Sequence, residues 1–490
     1  MARFDAVVIG AGLGGLTAGA ILAREGRKVV VIERSNSVGG AASSYKAGDL
    51  FVESSLHLTS DPHHGDDPKH APLTRAGVLD AVKWIPAGAL YQARGGPLTQ
   101  PFVLPANFAS ARSALIERFP QARDGIEQAL DEMQRIAATE TALTDQDLSL
   151  SDRFDQLFGD NEAVKCALAA NLSYYHDDPK TLRWASFAAA QGIFLRGGAC
   201  FIQGGSQRLS SALARAIRKA GGEVLLRRTV SAIALNADGE ARHITHTARD
   251  GSDPQTIEGA RIIGNAAPET LATLLPEADA TRLTDSYAQL TPSISLFALT
   301  LGLSTQPRSF GIDSYATQLL PDWMTTLADY AQGKSLMAEE PGGRMPPLAI
   351  VDYAAIDSGV PAPPYVLSVV GPDRLSNWSE LAPEAYRAKR ARWQQAIVDY
   401  LDAQYPGLAA AVTASSFNTA LSVQQYLNAP QGAVYGFAPI VPKPNGPQPS
   451  RSPRTVLPGL YLASAYAGLG GYTGVVQSAA VCADMMLRDA

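Results

Sequence analysis

The chain opens with a short, almost wholly apolar run, Asp5 to Ile9 (DAVVI), the pattern of a strand buried on both faces of a parallel sheet. Gly10-Ala11-Gly12-Leu13-Gly14-Gly15 interrupts it. A helix is predicted from about Leu13 to Glu25, with Leu16, Ala20 and Ala23 on one face, and Gly26 ends it. Lys28 to Ile32 is a second apolar strand that stops at Glu33. Further on, Leu115, Phe119, Ile126, Leu130, Met133 and Ile136 follow helical spacing, so the region from 79 to 194 reads as largely helical. SISLFALTLGL reads as a strand and YRAKRARWQQAIVDYLDAQ as a helix. GVPAPPYV and PIVPKPNGPQPSRSP are proline-rich loops. Near the end, GLYLASAYAGLGGYTGVVQSAA (Gly459 to Ala480) carries a second glycine-rich turn, although glycine is costly in ordered elements.

The first turn has a chemistry. Gly10 permits the tight turn, Gly12 lets backbone approach a diphosphate, and Gly15 lets helix and strand pack closely. Free N–H groups at the helix start, with the helix dipole, favour an anion there. Glu33 stands about 20 residues on, where a carboxylate can accept the ribose hydroxyls of an adenosine. The fingerprint alone fits NAD and FAD equally. Gly39-Gly40, soon after the acid, adds a second close approach towards the diphosphate and ribityl region, which favours FAD.

Composition narrows the class. A chain of 490 residues with 46% hydrophobic content exceeds one compact core, so two domains are expected. A net charge of −6 argues against a nucleic-acid partner. Cys166, Cys200 and Cys482 form no CxxC, which points to buried thiols, a reducing compartment and no structural zinc. No signal-peptide pattern precedes the first strand, and no run is long and apolar enough to span a bilayer. A cytoplasmic location is expected, with peripheral membrane contact left open.

Longer motifs carry a family likeness. FVESSLH supplies Phe51, Glu53, Ser54-Ser55 and His57. CFIQGGSQRLSSALARAIRKAGGEVLLRRTV holds a mid-chain Gly-Gly turn, helix and strand. RIIGNAAPETLATLL, YLNAPQGAVYGFAP and the closing TVLPGLYLASAYAGLGGYTGVVQSAAVCADMM complete the set. Over most of its length the chain resembles the phytoene desaturase, carotenoid isomerase and retinol saturase group of amine-oxidase-like flavoproteins. It departs at Gln203, where proline is usual, at Ala41, where arginine is frequent, and at Ser464-Ala465, where an acid often stands.

The resemblance implies an α/β fold. A Rossmann-type FAD-binding domain would be built from 1–78, 195–290 and 440–490, and an α+β substrate domain from 79–194 and 291–439. Leu460 to Ala463 would be the last strand. Gly468, Gly470, Gly471 and Gly474 would bring backbone against the isoalloxazine, with a helix starting near Gly474. The implied cofactor-binding set is Gly10, Gly12, Leu13, Gly14, Gly15, Glu33, Arg34, Gly39, Gly40, Ala41, Val230, Ala266, Ser464, Gly474, Val475 and Val476.

His57, Tyr175, Tyr435 and Tyr472 are the candidate catalytic or pocket residues. LSYYHDDP adds Tyr174, His176 and Asp177 as candidate acid–base groups, against a polar-capped helix end. SDPHHGDDPKH reads as a solvated or entrance loop rather than a metal site. The expected activity is an FAD-dependent oxidoreductase acting on C–C or C=C bonds of an apolar, polyene-like substrate, by desaturation, saturation or isomerisation. No second dinucleotide fingerprint is present, so electrons would be exchanged with substrate, oxygen, a quinone or an external reductant. An amine or amino-acid oxidase is the alternative enzyme. A non-catalytic scaffold like the Rab GDP-dissociation inhibitors is the alternative of another class.

Overall fold

A computed structural model describes residues 1–55, 57–139, 148–442 and 451–489. The first apolar run forms a strand over Ala2–Ile9, and Val29–Ile32 pairs with it in parallel. Glu223–Leu225 extends that edge, again parallel. On the other side lies Gln255–Gly264, parallel to the first strand. The far edge of Gln255–Gly264 is shared. Ala241–Ala248 runs antiparallel along its beginning, and the C-terminal strand Leu460–Leu462 runs parallel along its end. Arg228–Leu235 completes the sheet beyond Ala241–Ala248.

The register aligns the carboxyl ends of these strands. Ile9 stands opposite both Ile32 and Gly264, and Gly264 opposite Leu462. Gly10, Glu33, Asn265 and Ala463 therefore emerge side by side, in the crevice where open α/β sheets hold nucleotides.

The N-terminal helix spans Leu13–Arg24 and is buried from Leu13 through Ala23, not on one face alone. The C-terminal helix (Gly471–Arg488) and the helix Gln207–Lys219 both pack against it. Its small residues permit this. A Cβ at Gly14 would stand 1.7 Å from the carbonyl oxygen of Ala463, and one at Gly15 would stand 2.5 Å from that of Gly10. The C-terminal helix starts at Gly471, earlier than Gly474. Gly474 lies inside its first turn, where a Cβ would come within 2.2 Å of the Leu469 carbonyl oxygen.

The second large sheet runs Val412–Asn418, Ser295–Leu303, Tyr365–Asp373, Leu348–Asp352, Ala316–Leu320, Tyr91–Gly95, Leu98–Leu104. SISLFALTLGL is the strand Ser295–Leu303, and the long helix spans Pro383–Gln404. Leu115, Phe119, Ile126, Leu130, Met133 and Ile136 are all buried. The region from 79 to 194 is not uniformly helical, however. Its YQARGGPLTQPFVL segment forms a hairpin, with Gly95 and Gly96 both at positive φ, and pairs in parallel with Ala316–Leu320. The alternation at Tyr91, Gln92, Ala93 and Arg94 is a period-2 signal that the surrounding helical pattern obscures. Of the second proline-rich loop, 443–450 lie outside the described residues.

Helix propensity alone would favour alanine over glycine at position 14 by about 1 kcal/mol. The Ala463 carbonyl reverses the sign. Gly14→Ala is expected to lower stability by at least about 2 kcal/mol in urea denaturation and to weaken flavin retention. Gly343→Ala, where no heavy atom lies within 4 Å of the added Cβ, should be near neutral.

Candidate functional site

A cavity of about 490 Å³ opens at the aligned strand ends. From the N-terminal turn it is lined by Gly10, Gly12, Leu13 and Gly14, and from the second glycine pair by Gly39, Gly40 and Ala41. Glu33 and Arg34 border one end, with Val230, which precedes a bulge in its strand. Ala266, Ser464 and Val475 border the other side. Gly474 lines an adjoining cavity. Gly15 and Val476 do not line either cavity: Gly15 lies against Gly10, and Val476 is fully buried in the core.

The details suit a dinucleotide. Both the N-terminal and C-terminal helices begin at a glycine N-cap with no side chain capping the first turn, so their N–H groups are left for a ligand. Glu33 is held in place by its own turn: Ala11 N–H and Ser35 N–H each donate to its carboxylate at 2.7 Å. Ser464 donates to the Ala266 carbonyl at 2.8 Å. Arg34 donates to the Tyr426 carbonyl at 2.6 Å. Asn265 does more than its place in the motif suggested. Its side chain fills the space above Gly12, where a Cβ would meet Asn265 Nδ2 at 2.6 Å.

A second cavity, about 180 Å³, shares Ser55, Tyr435, Gly471 and Tyr472 with the first. His57, Tyr174 and Tyr175 line it, so all four catalytic candidates come together. One wall is the helix Trp184–Gly197, which presents Ser186, Ala189, Ala190 and Ile193 at helical spacing. That stripe of small residues was the signal for this wall in the sequence. His176 and Asp177 turn away instead. His176 Nε2 lies 3.0 Å from Thr181 Oγ1, and Asp177 accepts from Lys334 at 2.9 Å.

Burial sets the protonation states. It lowers His57 to about 4, so the ring is neutral at pH 7. It pushes the phenols of Tyr174, Tyr175, Tyr435 and Tyr472 upward, so they stay protonated. Tyr175 donates to Gln191 Oε1 at 2.6 Å. The hydroxyl of Tyr174 is buried beside Gln318, and that of Tyr472 beside Ser55 and Ser206. His57 Nε2 lies 3.3 Å from Ser368 Oγ, and its carbonyl accepts from Tyr315 at 2.7 Å. Glu53 of the same motif accepts from Ser206 N–H at 2.9 Å and so ties FVESSLH to the mid-chain Gly-Gly turn.

The histidine-rich string is only half solvated. His63, His64 and Asp66 are exposed, but Asp67 and Lys69 are buried as an ion pair at 2.9 Å. Lys69 Nζ also donates to Ser60 Oγ at 2.5 Å and to Thr473 Oγ1 at 3.1 Å. Thr473 lines the second cavity, so the pair braces the first turn of the C-terminal helix from behind. Charged residues in a polar run gave no sign of this. All three cysteines are free and buried, as expected.

The fold and cradle define a dinucleotide-binding flavoprotein. The sequence comparisons agree. The family model for flavin containing amine oxidoreductases matches residues 13–487, and the chain belongs to that family. It is 23% identical to the all-trans-retinol 13,14-reductase of Danio rerio over 99% of this chain and 86% of that one. It is 22% identical to the chloroplastic prolycopene isomerase of Daucus carota over 99% of this chain and 81% of that one. An oxidoreductase of known structure from Methanosarcina mazei superimposes with a TM-score of 0.67 at 17% identity, covering 99% of this chain and 100% of that chain. The protein is an FAD-dependent oxidoreductase of the amine-oxidase superfamily.

Lys69→Met would strand a buried carboxylate. It is expected to cost roughly 3–5 kcal/mol, with Asp67→Asn/Lys69→Met losing less than the single variant in a denaturant double-mutant cycle. His57 gives a pH signature. Its folded value lies below its unfolded one, so its contribution is present above pH 6.5 and is lost as pH falls towards about 4. The stability gap between wild type and His57→Gln should therefore shift against wild type over that window, by on the order of 3 kcal/mol. Urea titrations at pH 7 and pH 4.5 measure it.

Proposed function

We propose that the enzyme transfers a hydride between flavin N5 and a carbon of an apolar, unsaturated substrate held in the second cavity. One observation carries the reading: among the described residues, no Asp or Glu lines that cavity. Bound FAD supplies the two-electron chemistry. The protein supplies an apolar wall from Leu58, Leu182, Ile193, Phe194 and Phe437, and a set of neutral phenols. In the saturating direction the neighbouring carbon needs a proton. Tyr472 suits that role, because it borders both cavities and burial keeps its phenol protonated. The backbone of Gly470 to Gly474 would hold the reacting end in place.

An amine oxidase reading is weaker here. An ammonium substrate entering this cavity would find no carboxylate to hold it. The relatives named for a retinol reductase and a prolycopene isomerase support chemistry at carbon–carbon double bonds. Electrons would pass to or from an external partner: oxygen, a quinone or a soluble reductant. We further place the enzyme in the cytoplasm, a reading supported by its three free thiols.

The test is anaerobic. The bound flavin is reduced, unsaturated compounds are added, and its absorbance is followed. Reoxidation by an unsaturated compound is expected, slowed at least about tenfold in Tyr472→Phe. Reduction of the oxidised enzyme by amines, with no unsaturated compound reoxidising the reduced form, would defeat the proposal.

A further inference from the structure

Among the described residues, the second cavity holds one permanent charge. Arg451 lines it beside Phe437 and Pro439, and His57, the other basic residue there, is neutral. Arginines elsewhere in the chain are commonly paired: Arg3 with Glu258, Arg228 with Asp253, Arg392 with Glu340 and, three positions on, Arg454 with Asp489. Arg451 is not. Its one hydrogen bond among the described residues goes to the Ala438 carbonyl. Desolvation lowers it to about 10 with no acidic side chain acting on it, and it remains a cation at neutral pH. A half-buried guanidinium pays a desolvation penalty that a single carbonyl does not offset.

A guanidinium offers five donors in a planar fork, and one bond to a carbonyl leaves most of that fork free. The acceptor it matches is a carboxylate, which can take two parallel bonds. The rest of the lining carries no charge: uncharged polar side chains such as Thr59, Ser186 and Gln477 stand among aromatic and aliphatic ones, which run to Tyr435, Tyr472 and the Gly470–Gly474 turn at the border with the cradle. An apolar body can fill that stretch while an acid group at its end meets the cation. A volume of about 180 Å³ suits a medium-length chain.

We propose that Arg451 anchors a substrate carboxylate, and that the enzyme acts on apolar unsaturated carboxylic acids. This rests on reading the second cavity as the substrate site. It adds a polar end group that the retinol and prolycopene named for the two relatives lack in acid form. Arg451 is a binding residue in this scheme and takes no part in the redox step.

Calorimetric titration of the flavin-loaded enzyme with octanoate and with 1-octanol tests it, since the two share a chain and differ in the head group. Wild type is expected to bind octanoate at least about tenfold more tightly. Arg451→Met should lose that preference while binding 1-octanol as wild type does, and Arg451→Lys should keep part of it. The wild-type comparison stands even if Arg451→Met does not fold. Equal binding of the two by wild type, or a preference that survives in Arg451→Met, overturns the proposal. So does failure of both ligands to bind, because the cavity is then not the substrate site. Neither probe is redox-active, so a lost preference leaves the carbon–carbon reading to its own reoxidation assay.

Discussion

The contact between Gly14 and the Ala463 carbonyl joins the two ends of the chain. The oxygen occupies the space of a side chain at position 14, so only glycine lets the first helix close on the last strand. The sheet register then brings Ile9, Ile32, Gly264 and Leu462 level. From that level the turns at Gly10, Glu33, Asn265 and Ala463 leave the sheet together, and the larger cavity is the space between them. Without this approach the C-terminal helix would have no fixed place, and the smaller cavity would lose the wall formed by Leu469 to Thr473.

The cradle was legible because its chemistry is local. Gly10, Gly12, Gly39 and Glu33 act through backbone, turn and nearby side chain, so their spacing is their geometry. The wall of the second cavity is different. It collects His57, Tyr174, Ala189, Tyr435, Arg451 and Tyr472 from remote segments, and no spacing relates them. Of the candidates that did reach the cavity, His57, Tyr435 and Tyr472 were found through likeness to a family and Tyr174 and Tyr175 through the motif LSYYHDDP, none through periodicity. Lys69 and Asp67 were misjudged because a polar string next to exposed histidines carries no sign of burial. The Tyr91–Leu104 hairpin was hidden by the strength of the helical pattern that follows it.

The electrostatics separate along the same boundary. At the cradle, free N–H groups at two helix starts and a fixed carboxylate await charged and polar parts of a nucleotide. At and behind the wall of the cavity beyond, polar groups are drawn into networks that face elsewhere: Tyr175 to Gln191 and Asn171, and behind it His176 to Thr181 and Asp177 to Lys334. The hydroxyls of Tyr174 and Tyr472 are likewise buried, the first beside Gln318 and the second beside Ser55 and Ser206. The low dielectric of such a wall strengthens whatever polar contact a substrate does make.

The two regions are also mechanically linked. Lys69 holds Thr473 from behind, and Thr473 belongs to the first turn of the C-terminal helix. The same turn supplies Gly471 and Tyr472 to both cavities. A shift of this turn by a fraction of an ångström would therefore reshape both cavities together. Hydride transfer depends on the separation and alignment of the two reacting atoms. A buried, fully hydrogen-bonded ion pair is a stiff support for such a turn, since any movement lengthens bonds in a low-dielectric site. Asp67 and Lys69 thus hold in place a turn that borders both cavities, although neither residue lines either one.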